Sequence, residues 1–313
     1  MQNLVKAVCC LFILAAPSAA TAQTEQQAAI ETIDLPLRVE AGLKKKVSYV
    51  RDITSVQNGD AKSENGRIIA FIEILAVDED EFTATWTTKS VERGGQMIDE
   101  NSADAAAYLI GAPLEFSAAL DGSPTEIKNA SKIMEDVFNS TIVGDVQDKD
   151  ALRAAKDMFT NMAPDTLAQV LLKVPSLLSI CQGTSLRVGE MVSYETELAN
   201  PLNGESLPAT GSYLLSVAPR EGENAVIEWR QEIDPKTGKA SLISGMKSLL
   251  NKSGADKKAL DEIDDLPLTI AYSADCEVDP SDGWVRKIDY RQNISMQIVD
   301  RKEEWSISVE DAR

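Results

Sequence analysis

The chain has 313 residues, with 50 acidic side chains against 31 basic ones, a formal net charge of −19 and no histidine. Without imidazole there is no Ser-His-Asp triad, no Cys-His dyad and no histidine ligand for zinc, iron or copper. The acidic excess argues against nucleic acid as a partner, because a phosphate-binding surface needs clustered Lys and Arg. A composition of 43% hydrophobic and 26% charged residues is that of a globular chain.

Residues 1–22 read as an export signal. Lys6 gives the positive charge, Ala7 to Ala16 form an apolar run, and Ala20-Thr21-Ala22 has the small-x-small pattern cut before Gln23. The run is shorter than the roughly 20 apolar residues that cross a bilayer, and no later segment is long and apolar enough to do so. The expectation is a protein without a transmembrane segment, periplasmic or secreted, cleaved near Ala22. Cys9 and Cys10 leave with the signal. Cys181 and Cys276 remain and are expected to pair as a structural disulfide, since the compartment is oxidising.

The next feature is an internal repeat. Val47-Ser48-Tyr49 returns as Val192-Ser193-Tyr194, Gly66 as Gly211, Trp86 as Trp229 and Pro113-Leu114 as Pro267-Leu268, at offsets of 143 to 154 residues. Each half reads as a strand (Lys46 to Val56, Met191 to Ala199) and a turn dipeptide, Asn58-Gly59 or Asn203-Gly204. A second strand (Arg67 to Val77, Ser212 to Val217) and a third bearing the tryptophan (Phe82 to Val91, Ala225 to Ile233) follow. Ile68 to Ile72 is apolar on both faces, which predicts cover on both sides. Short helices are expected at Ala103 to Ile110 and at Ala240 to Leu250, the latter with an i, i+3, i+4, i+7 stripe. Trp305, Ile307 and Val309, alternating with Ser306 and Ser308, predict a half-buried last strand.

Between the halves, Ala130 to Cys181 holds three helical patterns, with Asp150 as an N-cap and Pro164 and Pro175 as punctuation. The predicted class is α+β, mainly antiparallel β, with about ten strands in duplicated sheet units and this helical block between them. The organisation is a signal at 1–22, a first repeat with the block at 23–180 and a second repeat at 181–313, the two halves merged into one unit.

Motifs for chemistry are few. Lys236-Thr237-Gly238 and Ser244 to Lys247 match two short patterns of penicillin-recognising serine enzymes, but in reversed order and without Ser-Asp-Asn, so the first reads as a surface turn. No Gly-x-Ser-x-Gly, Gly-x-Gly-x-x-Gly or Walker loop occurs. Asp78 and Asp80, in the run Asp78 to Glu81, are the candidate ligands for a calcium ion. Asp261 to Asp265 and Asp275, Glu277 and Asp279 are other acidic groups, and none has EF-hand spacing. Met134, Phe138, Phe159, Met162, Leu167 and Leu171 make the helical block apolar. They are read either as core against the sheet or as a lid over a concavity holding something lipophilic.

The paired Val-Ser-Tyr segments, Val188-Gly189-Glu190 before the second and Asp121-Gly122 with Ile127-Lys128-Asn129 in the first, resemble a family of uncharacterised exported bacterial β-rich proteins. That resemblance implies a restart after a helical middle and no activity. The layout is also similar to periplasmic lipoprotein-carrier half-barrels. The reading at this point is a non-catalytic envelope protein that binds an apolar small molecule or an envelope protein, with no cofactor required. A carboxylate-based or calcium-dependent hydrolase and a structural scaffold are the alternatives.

Overall fold

The computed structural model describes residues 32–57, 59–99, 108–139, 167–168, 171–199, 206–252, 268–296 and 299–312. Residues 1–22, expected to be an export signal, the acidic run Asp261 to Asp265, the turn Asn203-Gly204, Asp150, Pro164, Phe159 and Met162 lie outside these residues, as do the side chains of Met134 and Phe138. Among the described residues the chain is mostly antiparallel β, with three helices.

The strands are β1 (Thr32–Leu35), β2 (Lys44–Gln57), β3 (Asp60–Val77), β4 (Glu81–Arg93), β5 (Gln96–Met97), β6 (Pro113–Ala119), β7 (Pro124–Ile127), β8 (Thr184–Arg187), β9 (Met191–Ala199), β10 (Ser206–Val217), β11 (Ala225–Ile233), β12 (Thr269–Val278), β13 (Val285–Met296) and β14 (Val299–Asp311). The helices are α1 (Ala130–Asn139), α2 (Lys173–Leu178) and α3 (Thr237–Lys252). One large sheet runs β7-β6-β4-β3-β2-β14-β13-β12-β11-β10-β9, with β5 beside β4, and β1 pairs with β8 in a second, small sheet. Strands β2 to β7 and β9 to β14 each form an antiparallel meander. Both progress in the same direction across the sheet, and β14 joins them by pairing with β2.

Strand periodicity decides which side is buried. Val47 and Tyr49 on β2, Ile68, Ala70, Ile72 and Ile74 on β3, Phe82, Ala84 and Trp86 on β4, and Trp305, Ile307 and Val309 on β14 all point to one covered face. The cover is residues 35–43, β8, α1 and the turns around α2, which contribute Leu35, Ile133, Leu172, Val174, Leu177 and Leu186 to a single apolar cluster. The Cys181–Cys276 disulfide pins this cover to β12, and both cysteines are fully buried. Tyr213 Oη donates to the Ile180 carbonyl at 3.0 Å as a second tie.

The run Ile68 to Ile72 has cover on one side only. Ile69 and Phe71 are half-exposed on the open face, where the Lys44 ammonium lies 5.6 Å from the Phe71 ring centre. That face is otherwise dressed with cross-strand ion pairs such as Lys44–Glu73 and Arg291–Asp275. Each contributes at most ~1 kcal/mol, but together they keep a wide sheet face in water. The Ala103 to Ile110 helix is also replaced in part: residues 108–112 form a turn bridged to Thr88, and 101–107 lie outside the described residues. The repeat anchors do not share ladder partners. Tyr194 lies opposite Gly211, whereas Tyr49 lies opposite Ile68 and Gly66 opposite Arg51.

Candidate functional site

The register of β10 to β14 and β2 places side chains of the covered face in rows that cross the sheet. One row is aromatic and runs Tyr213, Trp229, Ala274, Tyr290, Trp305 and then Arg51. Two residues further along the strands the next row is polar: Gln231, Tyr272, Gln292 and Glu303, ending at Ile53. Beyond it lies a second, smaller apolar cluster of Leu207, Ala209, Ile233, Ile270 and Ile294, capped by Leu242 of α3. A buried face is thus divided by a band of groups that are costly to bury unless they are hydrogen-bonded or paired.

Glu303 is the centre of that band, only 4% exposed. Its Oε1 accepts from Arg51 Nε and from Trp305 Nε1, both at 2.8 Å, and its Oε2 accepts from Arg301 Nη2 at 3.1 Å. Burial pushes the carboxyl upward, but the Arg51 charge and the bonds from Arg51, Arg301 and Trp305 outweigh it and hold it below the usual range. The Arg51 guanidinium also stacks 4.9 Å from the Trp305 ring centre. Lys173, at the start of α2, lies 5.2 Å above the Tyr290 ring. Burial lowers its affinity for a proton; Glu303 opposes this, and Arg51 and Arg301 add to it. Among the described residues Lys173 has no carboxylate at ion-pair distance, and Arg301 Nε is buried without a hydrogen-bond partner.

Three cations therefore surround one carboxylate on the covered face of a chain whose net charge is −19. The sequence reading missed all four residues. The signal was present in β14, where Arg301 and Glu303 share the period of the buried Trp305, Ile307 and Val309.

The expected site residues fall elsewhere. Leu167 is buried in the large apolar cluster, and Leu171 is half-buried against it. Asp78 and Asp80 lie at the β3–β4 turn, in an open depression of about 500 Å³ shared with Glu79, Glu81, Ala119 and Thr125. Among the described residues no three of Asp, Glu and Cys converge as metal ligands. Asp275 is paired with Arg291, and Asp279 with Arg286. Asp234 accepts bonds from the Lys236 and Thr237 amides, so the Asp-Pro-Lys-Thr-Gly turn opens α3. A shallow trough of about 610 Å³ on the open face is floored by small side chains such as Ser212 and Ser273. No described helix is long and apolar enough to cross a membrane.

No protein-family model matches the chain, and no curated protein matches it in sequence. Two solved structures are similar to it in part. One concerns lipid–protein interactions in lipovitellin, with a TM-score of 0.41 and 11% identity. It matches 88% of this chain, which spans 26% of that one. The other is DynF from the dynemicin biosynthesis pathway of Micromonospora chersina, with a TM-score of 0.20, 7% identity, and coverage of 94% and 92% of the two chains. At these scores neither likeness defines the fold or the function of this chain.

Proposed function

We propose that the protein is a non-catalytic, exported ligand carrier that holds a lipophilic molecule against the covered face of its sheet. The observation that carries this reading is the division of that face. An apolar body and a small number of fixed polar groups stand side by side, which is the composition of a small-molecule site. Half-buried Ile53 and Tyr272 stand in the polar row itself, and Leu167 and Leu171 belong to the cover packed on the large apolar cluster. The export signal and the paired Cys181 and Cys276 support a periplasmic or secreted location. The same-direction order of the two meanders supports an ancestral duplication with halves at 23–180 and 181–313.

A carboxylate-based hydrolase needs one carboxyl held protonated in a cleft. Asp234, Asp279, Asp289, Glu303 and Asp311 are instead held downward by their hydrogen bonds and neighbouring cations.

Protein purified under native conditions and protein extracted with organic solvent test the reading. Mass spectrometry of the extract should find a lipophilic molecule in stoichiometric amount, and the extracted protein should melt at a lower temperature. An empty extract, together with no displacement of an environment-sensitive apolar dye by dodecanoate, would sink it.

A further inference from the structure

We propose that Arg51, Arg301 and Lys173 form a binding site for an anionic oxygen group, a carboxylate or a phosphate, at the polar band of the covered face. This rests on the lipophilic-ligand reading only in making that group the head of an amphiphile; the site itself stands on its own geometry. Charge is the first argument. Glu303 brings one negative charge to three cations: it pairs with both Arg51 and Arg301, and among the described residues Lys173 has no carboxylate at ion-pair distance. Lys173 is half-buried over the Tyr290 ring, where an unpaired charge is expensive, and a second anion removes that cost.

Geometry is the second argument. Glu303 engages Arg51 through Nε alone and Arg301 through Nη2 alone, so each guanidinium keeps further N–H donors. Arg301 Nε is among them, buried and unpartnered. Arg51 and Arg301 are still 36% and 42% exposed, so the ligand's head has access to them. Trp305 fixes the Arg51 plane from one side, and Glu303 fixes its edge. The fork is therefore oriented before a ligand arrives, as bidentate recognition of a carboxylate or phosphate requires. Lys173 supplies a point charge from the cover rather than the sheet, so an anion between them would tie the two layers together.

Ile53 and Ile294 are the ladder neighbours of Glu303 and Arg301, and they place apolar surface beside the head. The site thus selects an anionic amphiphile over a neutral one of equal length. It binds and orients; no bond is made or broken.

The test is calorimetric titration of extracted protein with dodecanoate, dodecyl phosphate, dodecanol and inorganic phosphate. The two anionic amphiphiles should bind at least about tenfold more tightly than dodecanol, the effect of one or two charge-assisted hydrogen bonds. Arg301→Gln and Lys173→Gln should each erase most of that ratio, while Lys302→Gln, on the open face, should preserve it. Equal binding of dodecanol and dodecanoate, or variants that keep the ratio, would overturn the site and leave the lipophilic reading standing. Binding of inorganic phosphate with no binding of any twelve-carbon probe would keep the anion site and overturn the lipophilic reading. Absence of binding by all four removes both. If a variant melts early, the dodecanoate-to-dodecanol ratio of the unsubstituted protein decides alone.

Discussion

Lys45 and Asp282, 237 residues apart in sequence, meet at 3.0 Å where the covered face ends. Lys45 is 2% exposed, lies 5.2 Å from the Trp284 ring centre and also binds Asp311 near the end of β14. Arg286 completes the group through Asp279 and Asp282. Trp284 Nε1 donates to the Arg38 carbonyl, so the same cluster fastens the 36–43 segment over the sheet.

Because Arg286 remains with both aspartates, removing the lysine leaves no bare charge pair behind. Lys45→Met, which keeps the stem, should cost about 1 kcal/mol, and Lys45→Ala about 2–3 kcal/mol, through lost packing. Urea unfolding of the two variants measures the difference. Equal losses would mean that the charge, not the stem, is what matters.

Acid should weaken the same corner. Burial raises the Asp279 carboxyl, but the Ser281 hydroxyl, the Arg286 guanidinium and the Ser281 amide bring it down to about 2 from 3.8. A folded value below the unfolded one gives stability that is complete above about pH 4 and lost as pH falls through 2, about 2 kcal/mol in all. Asp311, lowered chiefly by its bond from Lys45, acts in the same direction. Asp279→Asn should therefore lose stability at pH 7 and little at pH 2, flattening the acid limb of a stability–pH curve.

The disulfide closes a 95-residue separation, so its loss should cost up to about 4–5 kcal/mol on the chain-entropy account. With both cysteines fully buried, thiol labelling after mild reductant should track unfolding rather than precede it. Labelling of folded protein would contradict this.

Gly211 lies under the Tyr194 ring, and any Cβ there would run into that ring. The ring stacks on Tyr213, with centroids 5.5 Å apart, and its hydroxyl accepts from Trp229 Nε1 at 2.7 Å. Gly211→Val should displace Tyr194, cost about 1–3 kcal/mol and shift Trp229 emission. An unchanged spectrum would show that the ring has another place to go.

Much of the sheet was legible because alternation is a local signal: β9 and β11 begin and end where turn residues and period-2 patterning put them. The site was not, because Arg51, Lys173, Arg301 and Glu303 come from three separated segments: the β14–β2 register brings Arg51 to Arg301 and Glu303, and the packing of α2 over β13 adds Lys173. The two-sided cover of Ile68 to Ile72 failed for a different reason. An apolar run reports hydrophobicity on both faces but not which face meets a second layer, and Phe71 finds a lysine stem and ammonium instead.

The placement of β14 between β2 and β13 also sets an order of assembly. Until that strand has been synthesised, β2 and β13 stand as two open edges in the middle of what will be the sheet, each able to pair with another chain. The Tyr49–Trp305 stack that closes this seam spans most of the sequence, so folding here is slow to nucleate and cooperative once it starts. Export, as proposed above, would benefit from that delay: the chain would stay threadable during passage and lock shut only once β14 has arrived.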